Sequence, residues 1–328
     1  MFAEIGLLGN VFVLLASIVV LDRTSDLAIG HSVRIADMTG FGRTATGFIL
    51  VSFYSSLAAL SVSIFSAVGL QTIDVAVGNA LGSNIANIAL GLGICFLLAA
   101  AKRLDHMNLF PSMKKEEIES LYFGLFVASI IPLALVYIGY VSRIIGIILL
   151  AIFLIYTVWF SKNRIVNGEG ALKGDSQSVH SHLLLTLLGG AGVVVSSFFF
   201  INSASNIASS LGILELTAGS TIVAFGTSVP VLVVSLGLVR KGHLNMAIGN
   251  IVGSCFMDTT VILGIPLLTS TLAFNVAAAF SSLVVFSVIT SLFLWYFLSS
   301  GRISWKEGAL LVVLYALFLI ISFDGVRA

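Results

Sequence analysis

Ten stretches of this 328-residue chain are apolar over about the 20 residues that a helix needs to cross a bilayer, and that leaves few folds open. They run roughly over residues 5–37, 45–68, 74–99, 121–140 and 144–160. After a polar interval they continue over 183–211, 216–239, 244–268, 273–297 and 303–321. Inside hydrocarbon the backbone N–H and C=O groups must be satisfied within each segment, so every stretch is expected to be a helix. Only 9% of the residues are charged and 58% are hydrophobic, where a soluble domain is about a quarter charged. The first stretch reads as a membrane helix and not as a secretory leader, because no basic residue precedes it and its early charge is Glu4. A net charge of +1 gives no footing for nucleic acid. Cys95 and Cys255 lie in apolar runs and read as inert buried thiols.

The polar interval 161–182 divides the chain into halves, 1–160 and 183–328, and the halves are related. A shift of 172 residues places Gly40 on Gly212, Gly47 on Gly219, Ser56 on Ser228 and Ser63 on Ser235. A shift of 171 then places Gly78-Asn79 on Gly249-Asn250 and Gly82-Ser83 on Gly253-Ser254. Apolar sequence matches itself by chance at Leu and Val, but not in ordered Gly-Asn and Gly-Ser pairs. Five helices is an odd number, so the second copy must enter the membrane from the opposite side. The expected architecture is an all-α membrane protein of ten transmembrane helices in two inverted five-helix repeats, an arrangement typical of transporters.

Basic residues set the orientation. Arg43, Lys102, Arg103, Lys114, Lys115, Lys162, Arg164, Lys173, Arg240, Lys241, Arg302 and Lys306 fall in loops on one side, against Arg143 and Arg327 on the other. The positive-inside rule puts the first set in the cytoplasm, with 161–182 as a cytoplasmic loop and both termini outside.

Polar side chains within the apolar spans cluster at two corresponding places. One holds Ser55-Ser56 and then Gly78 to Asn87. The other holds Gly226-Thr227-Ser228-Val229-Pro230 and then Gly249 to Asp258. Ser83 and Asn87 are four apart, as are Ser254 and Asp258, so each pair shares a helix face. Pro230 removes one helical hydrogen bond and frees the Gly226 carbonyl. Hydroxyls, amide carbonyls, free backbone carbonyls and a carboxylate are the ligands of hard cations. Any one Ser or Gly here is better explained by close helix packing. The duplicated set ending in a carboxylate is not.

These motifs resemble the alpha-repeats of the cation/calcium exchanger superfamily. Gly-Asn-x-x-Gly-Ser-Asn-x-x-Asn at 78–87 is similar to the first repeat. Gly-Thr-Ser-x-Pro at 226–230 with Gly-Asn-x-x-Gly-Ser at 249–254 is similar to the second. The resemblance implies an antiporter in which the second, third, seventh and eighth helices form the ion site, and the first and sixth slide against it. It implies ligands at Ser55, Ser56, Ser83, Asn87, Thr227, Ser228, Ser254 and Asp258. It also exposes a departure. The family pattern carries glutamate after each Gly-Thr-Ser-x-Pro, whereas Ala59 and Val231 occupy those positions here. Asp258 is then the one acid well inside the site helices, since Asp74 and Glu215 fall at helix starts, where carboxylates complement the helix dipole.

The expected function is cation antiport by alternating access, with sodium or another monovalent cation as cargo in place of calcium. No cofactor is expected; the partners are inorganic cations and the bilayer, and the oligomeric state is left open. A transport-inactive member kept as a membrane interaction or regulatory protein fits the lost glutamates as well. No nucleophile–base grouping, histidine cluster or phosphate loop points to an enzyme. Asp22, Arg23 and Asp26 in the first span fit two accounts: charges lying in the headgroups, or charge supplied to the site. On the ten-helix topology, cysteines introduced at Ser178 and at Ala328 should react with impermeant maleimide from opposite sides of sealed vesicles. Labelling from one side would break the inverted arrangement.

Overall fold

In a computed structural model of the chain, residues 5–39, 51–65, 73–102, 115–138, 140–165, 176–212, 215–269, 274–275, 281–300 and 304–324 are described. They are almost entirely helical. α1 is Gly6–Thr39, followed by the short α2, Ser52–Ser55, and by α3, Leu57–Phe65. α4, Ile73–Ile85, runs through a π-helical turn at Ala86–Leu92 into α5, Gly93–Ala101. α6, Lys115–Ile138, and α7, Arg143–Ile165, are joined through β1, Tyr140–Val141. α8 is Ser176–Ser210. α9, Glu215–Ala218, passes through a π turn at Gly219–Val223 into α10, Ala224–Arg240. α11, Leu244–Met257, passes through a π turn at Asp258–Ile262 into α12, Gly264–Thr269. β2, Phe274–Asn275, α13, Ser281–Ser300, and α14, Trp305–Asp324, complete the chain.

Seven of the described helical segments are long and apolar enough to cross a membrane: Gly6–Thr24, Val75–Ala101, Ser181–Ser210, Gly219–Arg240, Leu244–Leu268, Leu283–Ser300 and Trp305–Phe323. Leu121–Leu135 and Arg143–Trp159 are shorter apolar helices. The stretch at 45–68 is described only from 51, and there it breaks at Ser56, whose φ of −91° and ψ of 0° end α2.

Two helical lines form the centre, Val75–Ala101 and Leu244–Leu268, and nearly every side chain of the second is buried. The first of them meets a third line, Gly219–Arg240, through backbone contact. A Cβ on Gly82 would collide with the Ser220 backbone, and one on Gly219 would lie 2.7 Å from the Val75 carbonyl oxygen. Small residues allow this approach where lipid supplies no hydrophobic drive between helices. The outer helices instead expose large apolar side chains such as Leu8, Phe126, Ile155 and Ile320, the surface a hydrocarbon solvent requires.

α1 and α8 lie antiparallel. Leu14 and Ile18 pack with Phe200, Leu21 packs with Val193, Gly192 abuts Thr24, and the His31 and His182 Nδ1 atoms meet at 2.7 Å. At 34 residues α1 is about 51 Å long, well beyond a hydrocarbon core of about 30 Å. Its apolar part ends at Thr24. β1 and β2 pair antiparallel, Tyr140 opposite Asn275 and Val141 opposite Phe274, and so tie the α6–α7 turn to the segment after α12. Cys95 and Cys255 are buried free thiols.

Gly82→Ala should lower stability by about 1–3 kcal/mol through overpacking, read as an earlier thermal unfolding midpoint in detergent. Gly237→Ala, where no atom lies within 4 Å of the added carbon, should leave the midpoint unchanged or raise it.

Candidate functional site

Each polar residue singled out in the spans lies where its helix is irregular or beside such a point. Ser55 and Ser56 straddle the break between α2 and α3. Thr227 and Ser228 precede Pro230 inside α10. Asn87 lies in one π turn and Asp258 opens another, where the Leu263 N–H reaches back five residues to the Asp258 carbonyl at 3.0 Å. Such turns add a residue to the helix circumference and are frequent at functional sites. Ser83 and Ser254 lie one turn before them, on α4 and α11.

All eight candidate ligands are buried, Asp258 to 1% exposure. Four of them, Ser83 with Thr227 and Ser55 with Ser254, fall into two matching clusters. In the first, the Thr227 hydroxyl donates to Asn79 Oδ1 at 2.8 Å, Ser83 lies 3.5 Å from the same oxygen and 3.4 Å from Thr227, and Asn79 Nδ2 donates to the Ala59 carbonyl at 3.3 Å. In the second, the Ser55 hydroxyl donates to Asn250 Oδ1 at 3.1 Å and lies 3.4 Å from Ser254 Oγ. Asn250 Nδ2 donates to the Val231 carbonyl at 3.3 Å and to Ser235 Oγ at 2.9 Å. The shifts of 171 and 172 turn one cluster into the other. Each asparagine thus takes its hydroxyl donor from the opposite half and donates to a carbonyl of its own half.

Between the clusters, residues that correspond to each other also touch. Asn87 Nδ2 donates to Asp258 Oδ2 at 3.1 Å, and the Cys255 thiol lies 4.0 Å from the Asn84 carbonyl. Asn84 Nδ2 donates to Thr259 Oγ1 at 2.9 Å. Four buried oxygens here have no partner: Ser56 Oγ, Ser228 Oγ, Asn84 Oδ1 and Asn87 Oδ1. A buried oxygen left open costs about 1–3 kcal/mol, so open oxygens around a carboxylate suit a bound cation. The set is oxygen-only, the chemistry of alkali and alkaline-earth ions. No three of His, Cys, Asp and Glu converge among the described residues.

In the sequence Asn79 and Asn250 stand only as letters of the Gly-Asn motif, with no role assigned. The signal was their spacing of four from Ser83 and Ser254. Thr259 had no signal, because Ile88 stands at the corresponding position. Asp22 lies on α1 next to Leu21, which packs against Ala58 of α3 and Val193 of α8, and its buried Oδ1 has no partner. Arg23 and Asp26 are exposed. Glu215 opens α9 and Asp74 is the second residue of α4.

The family model described as sodium/calcium exchanger protein matches residues 9–162 and 181–323. An uncharacterized membrane protein of Methanocaldococcus jannaschii is 30% identical over 92% of this chain and 94% of its own length. The sodium/calcium exchanger MaX1 of Methanosarcina acetivorans is 29% identical over 96% of this chain and 98% of its own. Among solved structures, the sodium-calcium exchanger NCX_Mj soaked with 2.5 mM Na+ and 10 mM Sr2+ superposes with a TM-score of 0.72 at 28% identity. That match covers 95% of this chain and 98% of the other.

Asn79→Leu and Asn250→Leu each strand a hydroxyl and a carbonyl inside the bundle. Each should cost about 1–3 kcal/mol or more in cation-free thermal denaturation. Ser56→Ala and Ser228→Ala remove oxygens that have no protein partner, and should leave cation-free stability near that of the wild type.

Proposed function

We infer the activity from one premise, that the chain belongs to the sodium/calcium exchanger protein family. It is a multi-pass membrane antiporter for inorganic cations, working by alternating access, and its cargo is sodium or another monovalent cation in place of calcium. The observation that carries the choice of ion is that, among the described residues of the site, Asp258 is the one buried carboxylate, set among hydroxyl and amide oxygens. Calcium takes about six to eight oxygens, and its double charge must be balanced in a medium where uncompensated charge is expensive. Ala59 and Val231, at the positions where the family pattern carries glutamate, contribute backbone carbonyls already engaged by Asn79 and Asn250. One carboxylate balances one sodium ion, and Ser55, Ser56, Ser83, Asn87, Thr227, Ser228 and Ser254 supply neutral oxygens. So many neutral oxygens favour sodium over a proton.

The chain crosses the membrane ten times as two inverted five-helix repeats, 1–160 and 183–328, with 161–182 cytoplasmic and both termini outside. The pairing of corresponding residues, Asn87 with Asp258 and Asn84 with Cys255, supports a two-fold relation between the halves. The two stretches that the family model matches support the same division. α1 and α8 are the sliding pair; Phe200 of α8 packs on Gly226 beside the site hydroxyls, and such an apolar contact can shift without stranding a hydrogen bond. A transport-inactive, regulatory role is the second reading, and the missing glutamates favour it.

Proteoliposome flux under sodium, potassium, proton, calcium and magnesium gradients separates these readings. Wild type should carry sodium, and Asp258→Asn should weaken sodium-dependent flux and sodium-dependent thermal stabilisation by at least about tenfold in affinity, roughly 1.4 kcal/mol. Calcium flux should be slight in wild type and should rise in Ala59→Glu/Val231→Glu. Saturable micromolar calcium transport by the unmodified chain would overturn the choice of ion. A folded protein silent under every gradient would favour the regulatory reading.

A further inference from the structure

Away from the cation site, a cavity of about 810 Å³ opens between the distal half of α1 and the end of α10. Arg23 and Arg34 line it from α1, and Arg240 and Lys241 from α10 and the turn after it. Asp26 is the one carboxylate among its lining residues. A fifth cation stands next to it, since the Lys102 ammonium donates to the Arg240 carbonyl at 2.7 Å. None of the eight candidate cation ligands lines this space. Its surplus of positive charge repels the cations that the site proper would hold, so it makes a poor conduit to that site.

The same charge surplus suits phosphate. Guanidinium groups match phosphate oxygens two at a time, and basic pockets between membrane helices take lipid headgroups. Apolar side chains line the cavity as well. Val51, Val234 and Leu238 line it and pack, with Met246, into a small hydrophobic cluster. Five of its six lining residues on α1 also lie past Thr24, where the apolar part of that helix ends and a headgroup layer begins. A free phosphate has no use for an apolar lining, whereas a phospholipid presents a phosphodiester and hydrocarbon together.

We propose that this cavity binds an anionic phospholipid, its phosphate held by Arg34, Arg240 and Lys241 and its glycerol and acyl portion against Val51, Val234 and Leu238. Such a lipid joins α1 to α10, that is, the proposed sliding helix to the bundle carrying Thr227 and Ser228. The binding site stands whether or not the cargo is sodium.

The test uses purified full-length protein, stripped of lipid in uncharged detergent and given back phosphatidylglycerol, cardiolipin, phosphatidylcholine or inorganic phosphate. Retention is read by native mass spectrometry and by the shift in thermal unfolding. Phosphatidylglycerol and cardiolipin should be retained and should raise the midpoint; phosphatidylcholine and inorganic phosphate should do neither. Arg34→Gln/Arg240→Gln/Lys241→Gln should reduce retention at least about tenfold. Asp26→Asn removes the opposing charge and should increase retention, a gain that misfolding cannot mimic. Equal retention of phosphatidylcholine, a full shift from inorganic phosphate alone, or unchanged phosphatidylglycerol retention in either variant would overturn the proposal.

Discussion

The hydrocarbon core of a bilayer offers no water to satisfy a carboxylate, an amide or a hydroxyl, and the arrangement of polar side chains in this chain follows from that. A buried amide has both a donor and an acceptor end to fill. Asn79 and Asn250 fill theirs entirely from protein: a hydroxyl on the carbonyl oxygen and a backbone carbonyl or serine on the NH2 group. These amides are struts, and their satisfaction holds the site helices in register. With the struts occupied, the oxygens left over, on Ser56, Ser228, Asn84 and Asn87, are those open to the proposed cation.

Helix irregularity turns this scaffold into a site. A regular α-helix spends its carbonyls on itself. The Ser56 break, Pro230 and the π turns at Ala86–Leu92 and Asp258–Ile262 interrupt that self-sufficiency at four places around the same polar cluster. The glycine crossings at Gly82 and Gly219 bring the interrupted segments to backbone contact, so that side chains as short as serine can bridge between helices.

Much of this was legible in the amino-acid sequence. The apolar stretches read directly because lipid demands length and composition, and the duplicated Gly-Asn and Gly-Ser pairs stood out because chance matches favour Leu and Val. What stayed hidden is long-range. Ser55 reaches Asn250 across 195 residues, and no local pattern announces that donors are exchanged between halves. The Ser56 break carries neither proline nor glycine, so the second stretch read as one continuous span. The histidines read as scattered, yet His31 and His182 meet because α1 and α8 are both far longer than a membrane is thick.

The exchange of donors between the halves also has a history within each molecule's synthesis. When Asn79 leaves the ribosome, the hydroxyl that will satisfy its carbonyl oxygen lies 148 residues further along the message. At about 5–20 residues per second that gap lasts roughly 7–30 s. Through it Asn79 has only the partners of its own half, Ala59 and Ser83, and Ser55 lacks Asn250. The bonds that join the halves therefore cannot form until translation has passed Thr227 and Asn250. A stalled or truncated chain exposes unfilled polar groups to lipid, a mark by which membrane quality control can recognise it.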